Sequence, residues 1–179
     1  MIKIQEYLRT YRPPLNYAKH IDSIVSQLPR QVTKDLGLIL LRDTASLSRT
    51  EQRIKLREGK APADARGLYY RPDSGRPARI ELYLDNILGE WPSWITKVPL
   101  LRYEIVGRVF FHELGHHVYA LEHPRSPRNE EVASSLGSAF LADYCRVRYR
   151  SLMPLVRLAK LVVAAIVSIR RALMMKRDE

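Results

Sequence analysis

Cysteine is nearly absent: the 179 residues hold one, Cys145. A lone thiol excludes an intrachain disulfide framework and a Cys-rich zinc ribbon. Its apolar surroundings read as a packing site, in agreement with a reducing compartment. Long apolar runs are lacking as well. The longest uncharged stretch of the hydrophobic C-terminal region, residues 161–169, is nine residues long, whereas a membrane span needs about 20. The opening MIKIQEYLRTYRPPL is too polar for a secretory signal, and a cytoplasmic protein is expected. Acidic residues are the minority: 19 against 30 Lys and Arg, for a formal net charge of +11. Such a surface favours anionic contacts without choosing among them. There are no RNP-like aromatics and no finger spacing, and the arginines are spread along the chain, so nucleic acid is not the expected partner.

No repeat and no Ser/Gly linker divides the chain. Its length fits one domain, residues 1–150, followed by a C-terminal element, residues 151–179. Leu15, Ile21, Ile24, Val25 and Leu28 have helical spacing up to Pro29. LGLILL, residues 36–41, suits a buried strand or part of a helix. Ser48-Arg49-Thr50-Glu51 has capping-box form and opens a short helix to about Glu58. Residues 67–70 and 79–84 predict a β-hairpin around the turn-rich 71–77. In its second arm Ile80, Leu82 and Leu84 alternate with Glu81 and Tyr83, as a half-buried strand requires. Residues 85–98 read as a connector. Pro99 suits the first turn of a helix that runs to about Leu121, before His123-Pro124. Further helices are expected from about Arg128 to Arg150 and after Pro154.

The chemistry lies in His112-Glu113-Leu114-Gly115-His116. At about 100° per residue, His112 and His116 project about 40° apart, one turn from each other, so both imidazoles can reach one ion. Phe110, Phe111, Leu114, Val118 and Leu121 gather on the opposite side and form an apolar back. Glu113 falls beside the metal, where it can act as a base towards water and not as a ligand. His117 reads as a second-shell or partly buried histidine. With one cysteine available, a catalytic zinc with three protein ligands is favoured over a structural one with four.

The third ligand must lie downstream. Glu122 stands where the HExxHxxGxxH pattern places it, but that pattern needs glycine at position 119, which here is Tyr119. His123 is about 10 Å too far along a straight helix and reads as a helix-end histidine near the terminal carbonyls. Glu130 and Glu131 remain. Around Glu130, one and two turns on, stand Ala133, Ser134 and Gly137, a small face that lets a second helix come close. Glu131 shares its side with Ser135, Ser138 and Ala142, also small. Glu130 is preferred, with Glu131 the alternative.

HELGH followed by Asn129-Glu130-Glu131-Val132-Ala133-Ser134 resembles the gluzincin metallopeptidases, in which a second helix carries ExxA and then Asp or Asn. The arrangement is similar to that of the ImmA/IrrE-type and HtpX-type peptidases, over about residues 67–142. The resemblance implies an α+β, zincin-like fold, mostly helical, with a small sheet or hairpin before the HExxH helix. It implies Zn2+ held by His112, His116 and Glu130, with Glu113 as general base in hydrolysing a protein or peptide substrate. An upstream edge strand pairs with substrate in such peptidases, and residues 80–84 are the expected strand. Ser134 departs from the pattern, which carries Asp or Asn there to support a zinc-bound histidine. That departure motivates an alternative: a weak or inactive zincin-fold protein with a binding or regulatory role.

Residues 155–175 place Arg157, Lys160, Ser168 and Arg171 on one narrow side of a helix that is otherwise apolar. Such a helix packs on its own domain, binds a regulatory protein partner, or lies on an anionic membrane surface.

Overall fold

The computed structural model describes residues 2–53, 62–73, 75–148, 150, 158 and 161. The fold is α+β, about half helical, with one four-stranded sheet. Among the described residues no helix is long and apolar enough to cross a membrane. The chain divides into two compact units, Met1–Leu141 and Ala142–Glu179.

In the first unit, β1 (Lys3–Tyr7), β2 (Leu36–Arg42), β3 (Gly67–Tyr70) and β4 (Ala78–Tyr83) form a sheet in the order β1-β2-β4-β3. The first two pairings are parallel and β3 runs antiparallel to β4. The apolar run at 36–41 is a strand because it is interior: both its edges are paired, and Leu36, Ile39 and Leu41 are buried. Helix α1 (Tyr17–Val25) carries the crossover from β1 to β2. Asn16 caps it by accepting from the Lys19 N–H at 2.8 Å. The predicted capping box opens α2 (Arg49–Arg53): Ser48 N–H donates to Glu51 Oε2 and Glu51 N–H to Ser48 Oγ. The expected continuation of this helix beyond Arg53 lies outside the described residues.

Two expectations need correction. Strand β4 is interior, flanked by β2 and β3, so its backbone is committed on both sides and cannot pair with a substrate. Among the described residues the edge strand on that side is β3. Leu84 is also not strand. It opens α3 (Leu84–Gly89), within the stretch read as a connector. Strand β1 went unpredicted because KIQEY is polar and largely exposed; it adds to the edge of β2 through its backbone.

Paired residues across the sheet define its two faces. Ile39, Leu41, Ile80, Leu82, Tyr69 and Gly67 share one face by register. On that side lies α4 (Pro99–Glu122), with Pro99 in its first turn as expected and Phe110, Phe111 and Leu114 fully buried. The other face carries Leu68, Tyr83 and the buried Glu81, which accepts from Arg42 Nη1 and the Tyr83 hydroxyl. Leu47 and Ala65 close a small core over it.

The turn after α4 leads into α5 (Glu130–Arg148). Asn129 accepts from the Val132 N–H at 3.0 Å through its side chain and caps this helix. Of the second unit, Tyr144 and the packing thiol Cys145 are buried, while Val147, Leu158 and Leu161 are exposed. The helix expected after Pro154 and the amphipathic tail lie outside the described residues.

Candidate metal centre

Backbone contact between α4 and α5 makes the centre. A Cβ added at Gly115 would lie 2.2 Å from the carbonyl oxygen of Ala133. One at Gly137 would lie 2.6 Å from that of Phe111. Each glycine therefore admits the partner backbone where any side chain would collide. The small face around Glu130 predicted this approach.

Glu130 consequently faces both histidines. Its Oε2 is 3.3 Å from His112 Nε2 and its Oε1 is 3.2 Å from His116 Nε2. The three residues offer ligand atoms that all lie within 4.8 Å of one another. His112 is partly exposed, His116 is 4% exposed, and Glu130 is open to solvent, so one side of the group is accessible.

The donor set fits a divalent ion. Ligands about 2.0 Å from a tetrahedral centre stand about 3.3 Å apart, close to the two separations between Glu130 and the imidazoles. A hydrogen bond between an imidazolium and a carboxylate would be shorter, about 2.7–2.9 Å. Burial also works against an imidazolium at His116. It outweighs the pull of the Glu130 carboxylate and, helped by His112 and Arg128, takes the ring's pKa down to about 4. With Nε2 facing an ion, Nδ1 carries the hydrogen. On His112 it donates to Ser134 Oγ at 3.3 Å. On His116 the buried Nδ1 has no hydrogen-bond partner among the described residues.

The other candidates lie elsewhere. Glu113 is buried but is not one of the three clustered residues. It packs on Gly67 at the start of β3, where a Cβ would stand 2.8 Å from both its Cγ and its Oε1. Glu131 and Glu122 are exposed and outside the cluster. The ring of His123, which ends α4, lies against that of Tyr119, with centroids 4.8 Å apart. His117 is fully buried. Its Nε2 lies 2.8 Å from the Lys34 carbonyl, which only accepts, so this nitrogen donates. Nδ1 then accepts from the Tyr69 hydroxyl at 3.3 Å. Burial lowers the pKa of His117 and keeps the ring neutral.

Two arginines escaped the sequence reading. The guanidinium of Arg71, just after β3, donates to the carbonyls of Pro124 at 2.8 Å and Ser126 at 2.5 Å. Arg128, two residues before Glu130, donates from Nη2 to the Tyr69 carbonyl on β3. Each reaches across to the other's segment, so β3 and the turn that delivers Glu130 are tied together. Nothing in the local sequence separates these arginines from the many others. Gly67, as an isolated glycine at a strand start, did carry a signal of close approach.

Among the described residues no strand pairs with the outer edge of β3. The Arg66 carbonyl accepts from the Tyr83 N–H on β4, so alternation turns the backbone groups of Gly67 and Tyr69 outwards. The chain matches no protein-family model, no curated protein and no solved structure.

Proposed function

We propose that the protein is a zinc-dependent metallopeptidase with a zincin-like core. The observation that carries the reading is the grip of Glu130, with one carboxylate oxygen towards each imidazole of the HExxH pair. Two neutral imidazoles and one carboxylate are a donor set typical of hydrolytic zinc. When bound, zinc supplies a Lewis acid and brings the pKa of a water molecule towards neutrality. Glu113 takes a proton from the attacking water and returns it to the departing amine nitrogen. The packing of Glu113 on Gly67 supports a base acting near the beginning of β3. An extended peptide adds to the outward backbone groups of β3 and presents its scissile bond at that level.

Metal analysis tests the centre. Zinc is expected in equimolar amount in the wild type and in Glu131→Ala, and is lost in Glu130→Ala. Glu113→Gln should keep its zinc and lose peptide hydrolysis. A zinc-free wild type, or hydrolysis surviving in Glu113→Gln, overturns the reading. Zinc retained without hydrolysis in the wild type favours the second reading, a zincin-fold binding or regulatory protein. The observation on its side is Ser134, which offers His112 a hydroxyl in place of a carboxylate or amide.

A further inference from the structure

We propose that a second site lies at the carboxyl ends of the parallel strands β1, β2 and β4, and that it binds a free α-amino acid between Asp85 and Arg102. The inference does not depend on the hydrolytic reading. Arg102 stands ten residues before His112 on α4, about 15 Å along the helix axis.

The chain leaves β1 towards the face that carries α4. The ring of Tyr17 on α1 meets that of Tyr103 on α4 edge to face, with centroids 6.0 Å apart. It leaves β2 towards the opposite face, where Leu47 packs with Leu68 and Tyr83. Adjacent parallel strands whose connections part in this way leave a crevice beyond their carboxyl ends, the usual ligand position in such sheets. Asp43 follows β2, and its Oδ2 holds the backbone of residues 9–11, which brings Tyr11 to this place. Asp85, just after β4, accepts from the N–H and the hydroxyl of Thr44, both through Oδ2.

Asp85, Arg102 and Tyr17 then gather around the Tyr11 phenol. Burial raises the pKa of Tyr11, Arg102 opposes the rise and Asp85 adds to it, so charges of both signs face one ring. Burial raises that of Tyr17 too, and its phenol also feels Tyr11 and Arg102. Yet Asp85 Oδ1, Arg102 Nε and the hydroxyl of the fully buried Tyr17 have no hydrogen-bond partner among the described residues. The guanidinium Nε and the carboxylate Oδ1 therefore do not bond to each other. Buried polar groups left in this state are costly and call for a partner. A bare cation suits Asp85 but is repelled by Arg102, and a bare anion meets the reverse. A molecule with both charges on one carbon answers each group. The ammonium of an α-amino acid donates to Asp85 Oδ1, and its carboxylate accepts from Arg102 Nε and the Tyr17 hydroxyl. Tyr11, Asp85 and Arg102 are only half-buried, so the crevice opens to solvent on their side.

The test uses the full chain and isothermal titration calorimetry with each of the common L-amino acids. The tightest of them is then compared with its amide, which lacks the carboxylate, and with its N-acetyl derivative, which lacks the ammonium. Each derivative should bind about tenfold more weakly or worse, the size expected of a charge-assisted hydrogen bond. Asp85→Asn keeps an oxygen for Thr44 and should erase the discrimination against the N-acetyl derivative alone. Arg102→Gln should erase that against the amide alone. Tyr17→Phe removes only a hydroxyl without a partner in the fold and should weaken the amino acid more than its amide. A structural role for Asp85 or Arg102 would weaken all three ligands equally, and that result overturns the proposal. So does a wild type that binds no amino acid, or binds the derivatives as well; the cluster then holds water only. If Asp85→Asn or Arg102→Gln does not fold, Tyr17→Phe and the three ligands on the wild type still decide. Failure of the hydrolytic reading shows separately, as missing zinc or as peptide hydrolysis unaffected by Glu113→Gln.

Discussion

Gly115 of α4 lies against the carbonyl of Ala133 in α5, so close that a Cβ on residue 115 would stand 2.2 Å from that oxygen. The obstacle is backbone and cannot turn aside as a side chain can. Gly115→Ala should therefore push the helices apart and withdraw Glu130 from the imidazoles. Overpacking of this kind costs about 1–3 kcal/mol. A lower melting temperature and a weaker zinc affinity are expected together, the second read by chelator competition. Unchanged affinity in a destabilised variant would mean that the helix contact does not set the ligand geometry.

Ser134 and His112 give the next prediction. With a metal on Nε2, Nδ1 of His112 donates to the Ser134 hydroxyl, 3.3 Å away in an exposed setting. Outer partners of metal-bound histidines commonly change affinity by about 10–100-fold. A long, solvated contact belongs at the low end. Ser134→Ala should weaken zinc by about tenfold, and Ser134→Asp should tighten it by giving the ring a stronger acceptor. Equal affinity in all three proteins would show that solvent serves His112 as well as Ser134 does.

Much of this centre was legible because helical geometry is local. The spacing of His112 and His116, the apolar back of Phe110, Phe111 and Leu114, and the small face of Ala133 and Gly137 follow from an angle of about 100° per residue. The capping box at Ser48 and Glu51 is equally local. Long-range pairing was not legible. Strand β1 has no apolar alternation and exists because β2 offers it an edge. The placing of β3 outside β4 depends on β2 occupying the opposite side of β4. The reach of Arg128 to Tyr69 crosses 59 residues of sequence and leaves no pattern in it.

Two buried histidines set a pH dependence. The pKa of His116 falls from an ordinary 6.5 to about 4, chiefly by burial, and that of His117 is lowered for the same reason. Between these values the unfolded chain binds protons that the folded chain does not. Stability is therefore fully present above about pH 6.5 and declines as the pH falls towards about 4. Urea unfolding of chelator-treated protein across that range should show the decline, and His116→Gln should flatten it. Added zinc should steepen it, since metal and proton compete for the same nitrogen. A flat profile in the metal-free protein would show that His116 is not desolvated.

Asp43 governs a separate, more acidic limb. Its carboxylate is fully buried at the end of β2. Oδ2 accepts from the backbone N–H groups of Arg9, Thr10 and Tyr11 at 2.7–2.8 Å, which ties the segment after β1 to the sheet. Burial alone would raise its pKa, but these bonds outweigh it and hold the group below its ordinary 3.8. Glu51 is held down to about 2, mainly by its hydrogen bond with Arg42. For both, the stabilisation is present above the ordinary carboxylate range and is lost as the pH falls through the lowered value. Asp43→Ala leaves three N–H groups without their acceptor and should cost about 3 kcal/mol or more. Asp43→Asn keeps one acceptor oxygen and should cost less, while removing part of the loss of stability below about pH 4. Circular dichroism of denaturant unfolding at pH 3 and pH 7 measures both effects. A difference between wild type and Asp43→Asn that is the same at the two pH values would show that the charge of Asp43 contributes nothing beyond its hydrogen bonds.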